Sequence, residues 1–296
     1  MLDGLRWLVV NVAVGFYNIG WALLNPSAWL DWSDKQALAR FIYYGGSVEF
    51  FFAVFNIFVV LFAIGIWQRR ILWGVVVGIE GFANALGRLT AWAALLMVLQ
   101  QVMIVFLQRV FRVSEISFGP FGAAFTRDLS WWSEELKLYN AMIVVLCCGY
   151  TFVQGGHVLG DLVYAGLKHR GKRVVDMFGA LFFMMPSTIM IWLFGWFFLW
   201  RHLVTPQINA SESAQRVIEQ KSRILKWNVE TIGFSPNGFD AYFLFKILLV
   251  AFAGLMFVQA WAFFFRSWLE YAEGPEAAGK YADIDRLEGD PALREA

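Results

Sequence analysis

Charge is scarce in this sequence. Acidic and basic residues make up 16% of its 296 positions, against 59% that are hydrophobic. The net charge is +1, so nothing draws the chain toward nucleic acid or a strongly anionic partner. Histidine is scarcer still. His157 ends one apolar run, His169 lies in the polar stretch after it, and His202 sits at the far end of the next run. No two would share a depth in a bilayer, which excludes a haem held by paired axial histidines. The two cysteines, Cys147 and Cys148, are adjacent. Neighbours on a helix point about 100° apart and do not bridge readily, and no metal-ligand spacing is present. Alternating short strands of a β-barrel are missing. No nucleophile, acid/base pair or phosphate loop stands in a soluble context, so no catalytic residue, cofactor or metal is expected.

What fills the sequence is apolar runs. Several exceed the roughly 20 residues that a helix needs to cross a bilayer. The expected fold is all-α: a polytopic helical membrane protein with about six transmembrane helices and one or two interfacial amphipathic helices. The first span covers roughly 5–24 and reads as retained, because Asn25-Pro26-Ser27 is a turn and not a small-residue cleavage site. The second covers roughly 42–66 and stops at Gln68-Arg69-Arg70. Residues 71–87 place Ile71, Val75, Ile79, Phe82 and Leu86 on one helical face. With Glu80 inside and only about 17 residues between arginines, they are expected to form an interfacial helix and not a crossing. Further spans are expected at roughly 89–111, 138–158, 174–200 and 239–266. Before the fourth, Leu129, Trp132, Leu136 and Tyr139 form the stripe of a short helix lying in the interface. Pro186 predicts a kink in the fifth, with Ser187 and Thr188 placed to satisfy freed carbonyls.

Three regions follow from this. Residues 1–86 carry two spans and the interfacial helix. Residues 87–269 hold four spans, with a hydrophilic insert at about 202–238. Residues 270–296 form an acidic tail with eight acids against three bases, expected to be solvated and partly disordered. Within the insert, Val217, Ile224 and Trp227 form a partial helical stripe, and Asn209 with Glu212 is a weak capping signal. Six spans put both termini on one side of the membrane. The basic cluster Lys168, Arg170, Lys172 and Arg173 is too dense for hydrocarbon and reads as a loop at the cytoplasmic surface. Glu49 is the one acid well inside a span. It reads as a relay carboxylate or, more simply, as a carboxyl hydrogen-bonded between helices.

From about Gly87 to Leu269 the order of short motifs resembles the small membrane subunit of tripartite ATP-independent periplasmic (TRAP) transporters, the DctQ-like family. The motifs are Trp132-Ser133-Glu134-Glu135-Leu136 after one span and Gly156-His157-Val158 with Asp161 at the end of the next. Arg170-Gly171-Lys172-Arg173-Val174-Val175-Asp176 opens a third, Glu212-Ser213 follows it, and Pro236-Asn237-Gly238 opens the last. Leu159 and Gly160 depart from the family pattern, which has an arginine there. Residues 1–86 and much of 203–234 fall outside the resemblance.

The resemblance implies a non-catalytic subunit in a bacterial inner membrane. Its partners would be a large permease subunit, which carries an organic acid against a sodium gradient, a transient periplasmic binding protein, and membrane lipids. In that setting Trp132 anchors an interfacial helix. Glu134 and Glu135 offer charged contacts to a partner or to Arg127. Lys168, Arg170 and Arg173 meet lipid phosphates or acidic groups. His157 and Asp161 cap a helix end by hydrogen bonds. Two other classes stay open at this point: a self-sufficient transporter or channel, and a membrane anchor for a soluble enzyme.

Overall fold

A computed structural model describes residues 2–119, 125–155, 164, 166–231, 233 and 235–285. Six helical stretches in it are long and apolar enough to cross a membrane: Asp3–Leu24, Val48–Trp67, Arg69–Val110, Leu129–Val153, His169–Arg201 and Phe243–Glu273. The chain is an all-α, multi-pass membrane protein. Its only strands among the described residues are two short ribbons, β1 (Glu115–Phe118) with β2 (Phe125–Asp128) and β3 (Val204–Thr205) with β4 (Lys226–Trp227).

Helix α1 (Leu2–Leu24) packs on α4 (Val48–Trp67). Asn56 of α4 donates to Val12 O at 2.8 Å, and Gly15 leaves room for that amide. Between them lie α2 (Ser27–Leu30) and the amphipathic α3 (Lys35–Gly45). Asp34 caps α3 by accepting from the N–H groups of Gln36 and Ala37. Ser47 caps α4, so Glu49 falls in its first turn and not deep in a span. The expectation of an acid well inside a span at Glu49 is thereby corrected.

Residues 71–87 and 89–111 are not two elements. They form one helix, α5 (Arg69–Val105), continued by a wide π turn at Phe106–Val110. Its 42 residues run about 63 Å, twice the roughly 30 Å hydrocarbon thickness. No proline interrupts it, and Glu80, Asn84, Arg88 and Gln100 are paired with distant parts of the chain. Likewise the expected interfacial helix near Trp132 is the first part of α6 (Leu129–Val153). Helix α6 lies antiparallel along α5: Gln154 reaches Asn84, and Gly87 leaves the space that Tyr150 fills.

The basic cluster is helical too. Lys168 stands at the cap of α7 (His169–Gly179), so Arg170, Lys172 and Arg173 belong to its first two turns and not to a loop. A π turn at Ala180–Met184 joins α7 to α8 (Met185–Arg201). Pro186 is the second residue of α8. Thr188 Oγ1 donates to Met184 O and Met185 O, both at 2.9 Å, where sequence expected it to serve the carbonyls that proline frees.

The insert packs instead of projecting. It contains a π turn at Arg216–Lys221, the short α9 (Ser222–Ile224) and the β3–β4 ribbon. Val217 and Leu225 are buried against α3 and α8, whereas Ile224 is 63% exposed, so the stripe read from sequence is only partly right. Asn209 Oδ1 accepts from Ser211 N, and Glu212 pairs with Lys221 in place of a reciprocal cap. The last helix, α10 (Phe243–Glu273), is the most buried of the six spans and touches α5, α6, α7 and α8.

Candidate functional site

The ends of α5, α7 and α10 meet in a knot of charge. Arg266 and Glu270 sit one turn apart on α10. Arg266 Nε donates to Glu80 Oε1 of α5 at 2.7 Å, and its Nη2 pairs with Glu80 Oε2. Both side chains are largely buried. The Arg266 guanidinium lies 5.3 Å from the Trp73 ring and donates to Lys280 O at 3.0 Å. Trp73 Nε1 donates to Glu273 Oε1 at 3.0 Å.

From α7, Arg173 reaches Asp176 at 3.0 Å and Glu270 Oε2 at 2.6 Å. The second approach is an ion pair without hydrogen-bond alignment. Glu270 is 2% exposed, and its Oε1 accepts from Gly279 N at 3.3 Å. His169 Nε2 lies 3.2 Å from Glu270 O. Tyr164 donates to Asp176 Oδ2 at 2.9 Å; burial first, then this bond, pushes its phenol up to about 12. Charges this buried persist only when paired and hydrogen-bonded. Here Glu80, Glu270 and Asp176 each face a guanidinium, and the pairs tie three helices that are far apart in sequence.

The second group lies at the other end of the bundle. Glu134 Oε2 accepts from Phe239 N at 2.9 Å and packs on Gly238, while Trp131 Nε1 donates to Asp240 at 3.2 Å. The Trp-Ser-Glu-Glu-Leu segment therefore holds the turn at Pro236-Asn237-Gly238. Gln100 of α5 donates to Trp132 O at 3.2 Å and to Glu135 Oε2 at 3.1 Å. The Arg127 guanidinium lies 5.8 Å from the Trp131 ring.

The structure thus brings Glu134 and Glu135 into internal bonds, and Arg173 into the charged knot. Lys168 is exposed at the α7 cap, and Arg170 lies over the Tyr271 ring at 5.7 Å. His157 and Asp161 lie outside the described residues. Sequence reasoning missed Glu80, Arg266 and Glu270. The i, i+4 pair at the end of the last span was the available signal, since an Arg and a Glu one turn apart in an apolar run need partners.

An apolar groove of about 620 Å³ runs along α10 between α5–α6 on one side and α8 on the other. Phe82, Gly149, Trp192 and Gly254 line it, together with Gln259. Gln259 is 3% exposed, and its Oε1 has no hydrogen-bond partner among the described residues. Among those residues no three His, Cys, Asp or Glu side chains cluster as metal ligands.

Comparison with protein-family models, with curated proteins and with solved structures finds no match to this chain.

Proposed function

We propose that this chain is a non-catalytic membrane subunit that braces a larger permease, in the manner of the small subunit of a TRAP-type organic-acid uptake system. The observation that carries the reading is the Glu80–Arg266–Glu270–Arg173–Asp176 knot. An ion-coupled carrier needs ionisable groups that exchange partners as the substrate moves. These groups are locked to one another across three helices, which suits a rigid brace. The groove beside Gln259 supports the same reading: small residues let a neighbouring helix approach closely, and its polar side chain can satisfy a buried amide. Two motifs of the family resemblance, Trp132 to Leu136 and Pro236 to Gly238, also touch each other.

The test is affinity purification from native membranes in mild detergent, followed by mass spectrometry. The brace reading expects a large apolar permease in near-equal amount, and no solute movement by this chain alone in liposomes. Recovery of the chain alone together with transport in liposomes overturns it. Co-purification with a soluble enzyme and no permease points to an anchor.

A further inference from the structure

Beyond Glu273 the chain turns at Gly274 and Gly279, both in the left-handed region (φ 94° and 70°), and folds back over α5 and α6. There four side chains, Asn84 and Arg88 of α5 with Tyr150 and Gln154 at the end of α6, hold two of its residues, Asp283 and Asp285. Asn84 Nδ2 donates to Asp283 O at 2.7 Å and to Asp283 Oδ2 at 3.1 Å. Gln154 Nε2 donates to Asp283 O at 3.0 Å, and Gln154 Oε1 accepts from Asp285 N at 2.7 Å. Arg88 Nη2 meets Asp283 Oδ1 at 3.0 Å and Asp285 Oδ1 at 2.6 Å. Tyr150 donates to Asp285 Oδ2 at 2.8 Å.

Two features pull in opposite directions. The bonding pattern is specific: backbone and carboxylates are matched at once, and Asn84 is fully buried beneath the segment. The ionic part is weak, because the side chains of Arg88, Asp283 and Asp285 are 44%, 56% and 48% exposed. Exposed pairs contribute little and are screened by salt. A contact that is specific in geometry, ionic in character and open to solvent is built to release. Gly279, in the left-handed region, sets the turn that sends the segment toward α5 and α6.

We propose that residues 282–285 are a latch, closed on α5–α6 at low ionic strength through Arg88 and released when that charge is screened or removed. Release uncovers Asn84, Arg88, Tyr150 and Gln154, a donor set fitted to carboxylates. The proposal does not depend on the reading of the chain as a permease subunit.

The test uses the full-length chain in lipid nanodiscs, with Cys147 and Cys148 changed to alanine and spin labels placed at Ile284→Cys and Thr151→Cys. At about 0.05 M salt a single narrow, short distance is expected. At about 1 M salt, where the screening length falls to about 3 Å, that peak should be lost to a broad distribution. Arg88→Gln should show the broad distribution at both salt concentrations. A narrow peak that survives high salt overturns the latch and makes the segment a fixed part of the fold. A broad distribution at low salt overturns it as well. The salt arm needs no change to Arg88, so a folding defect in that variant does not decide the outcome.

Discussion

Glu134 holds the backbone N–H of Phe239 at 2.9 Å across 105 residues of chain. That bond fixes where α10 begins relative to α6. It also explains Gly238, because any side chain there would collide with the Glu134 carboxylate. Glu134→Ala leaves the Phe239 N–H without its carboxylate acceptor, at a cost of about 1–3 kcal/mol. Gly238→Ala should cost a similar amount by forcing the carboxylate away. Because both act on one contact, the double variant should lose less than the sum of the two. Melting curves in detergent for the two singles and the double check this; full additivity would show that the contact is not shared.

A similar fit joins α3 to α8. Trp196 Nε1 donates to Ile42 O and Trp192 Nε1 to Gly45 O, each at 2.8 Å, so two indoles satisfy carbonyls at the end of α3. A side chain at residue 45 would meet the Trp196 ring. Gly45→Leu is expected to cost about 1–3 kcal/mol through overpacking, and Trp196→Ala about 3–5 kcal/mol. Loss of thermal stability in both, with Gly46→Ala much milder, is the expected order.

The six spans were legible because hydropathy is a local property: each window of sequence carries its own answer. The continuity of α5 was not. Arg88 looks like the end of a short helix when read in place, and Glu80 inside it argues against a crossing, because a charge in an apolar run costs too much to keep. Their partners lie far away, Arg266 at 186 residues from Glu80 and Asp285 at 197 from Arg88. The same reason hid the order of residues 270–285, whose acids read as a solvated tail until Arg88, Asn84 and Gln154 are placed beside them. Trp132, Glu134 and Glu135 were found as a segment from their motif. Their use within the chain depends on Gln100 and Phe239, which no local pattern points to.

The latch carries a pH signature of its own. Hydrogen bonds from Arg88, joined by Asn84 at Asp283 and by Tyr150 at Asp285, hold both carboxyls below their ordinary value of 3.8. A depressed carboxylate contributes stability above the unfolded value and loses it as pH falls through the lower, folded value. Among the described residues, the titratable groups facing these acids are Arg88, Tyr150 and each other. A single spin label at Ile284 should therefore keep its mobility from neutral pH down to the ordinary carboxylate range and become freer only below it. Asp283→Asn with Asp285→Asn should be free across the whole range. Release centred near neutral pH would point to another group.

The insert bears on how a soluble partner would dock. Removing residues 207–230 would strip Ile208, Val217 and Leu225 from the core they share with α3 and α8, so a deletion tests folding before it tests function. Arg223→Glu with Ile224→Asp changes only the exposed side of α9. If the insert receives a binding protein, this pair should lower uptake by the assembled complex while melting temperature and subunit recovery stay at wild-type values. Unchanged uptake would remove the insert from the docking surface.

The charged knot separates a brace from a carrier most directly. Removing one partner, as in Glu80→Gln, leaves Arg266 buried without its fork and should cost about 3–5 kcal/mol. Replacing both by apolar residues of similar volume, Glu80→Leu with Arg266→Met, should recover most of that loss, since a buried ion pair exchanged for packing is often neutral or better. Arg173 stays on Glu270 in the double variant, so the rest of the knot keeps its partner. A brace needs only the shape and stiffness of this junction, and uptake by the complex should return with stability. A carrier that passes a proton or ion through Glu80 needs the carboxylate itself, and a stable double variant would then be inactive. Stability restored without uptake is the result that moves Glu80 from scaffold to transport path.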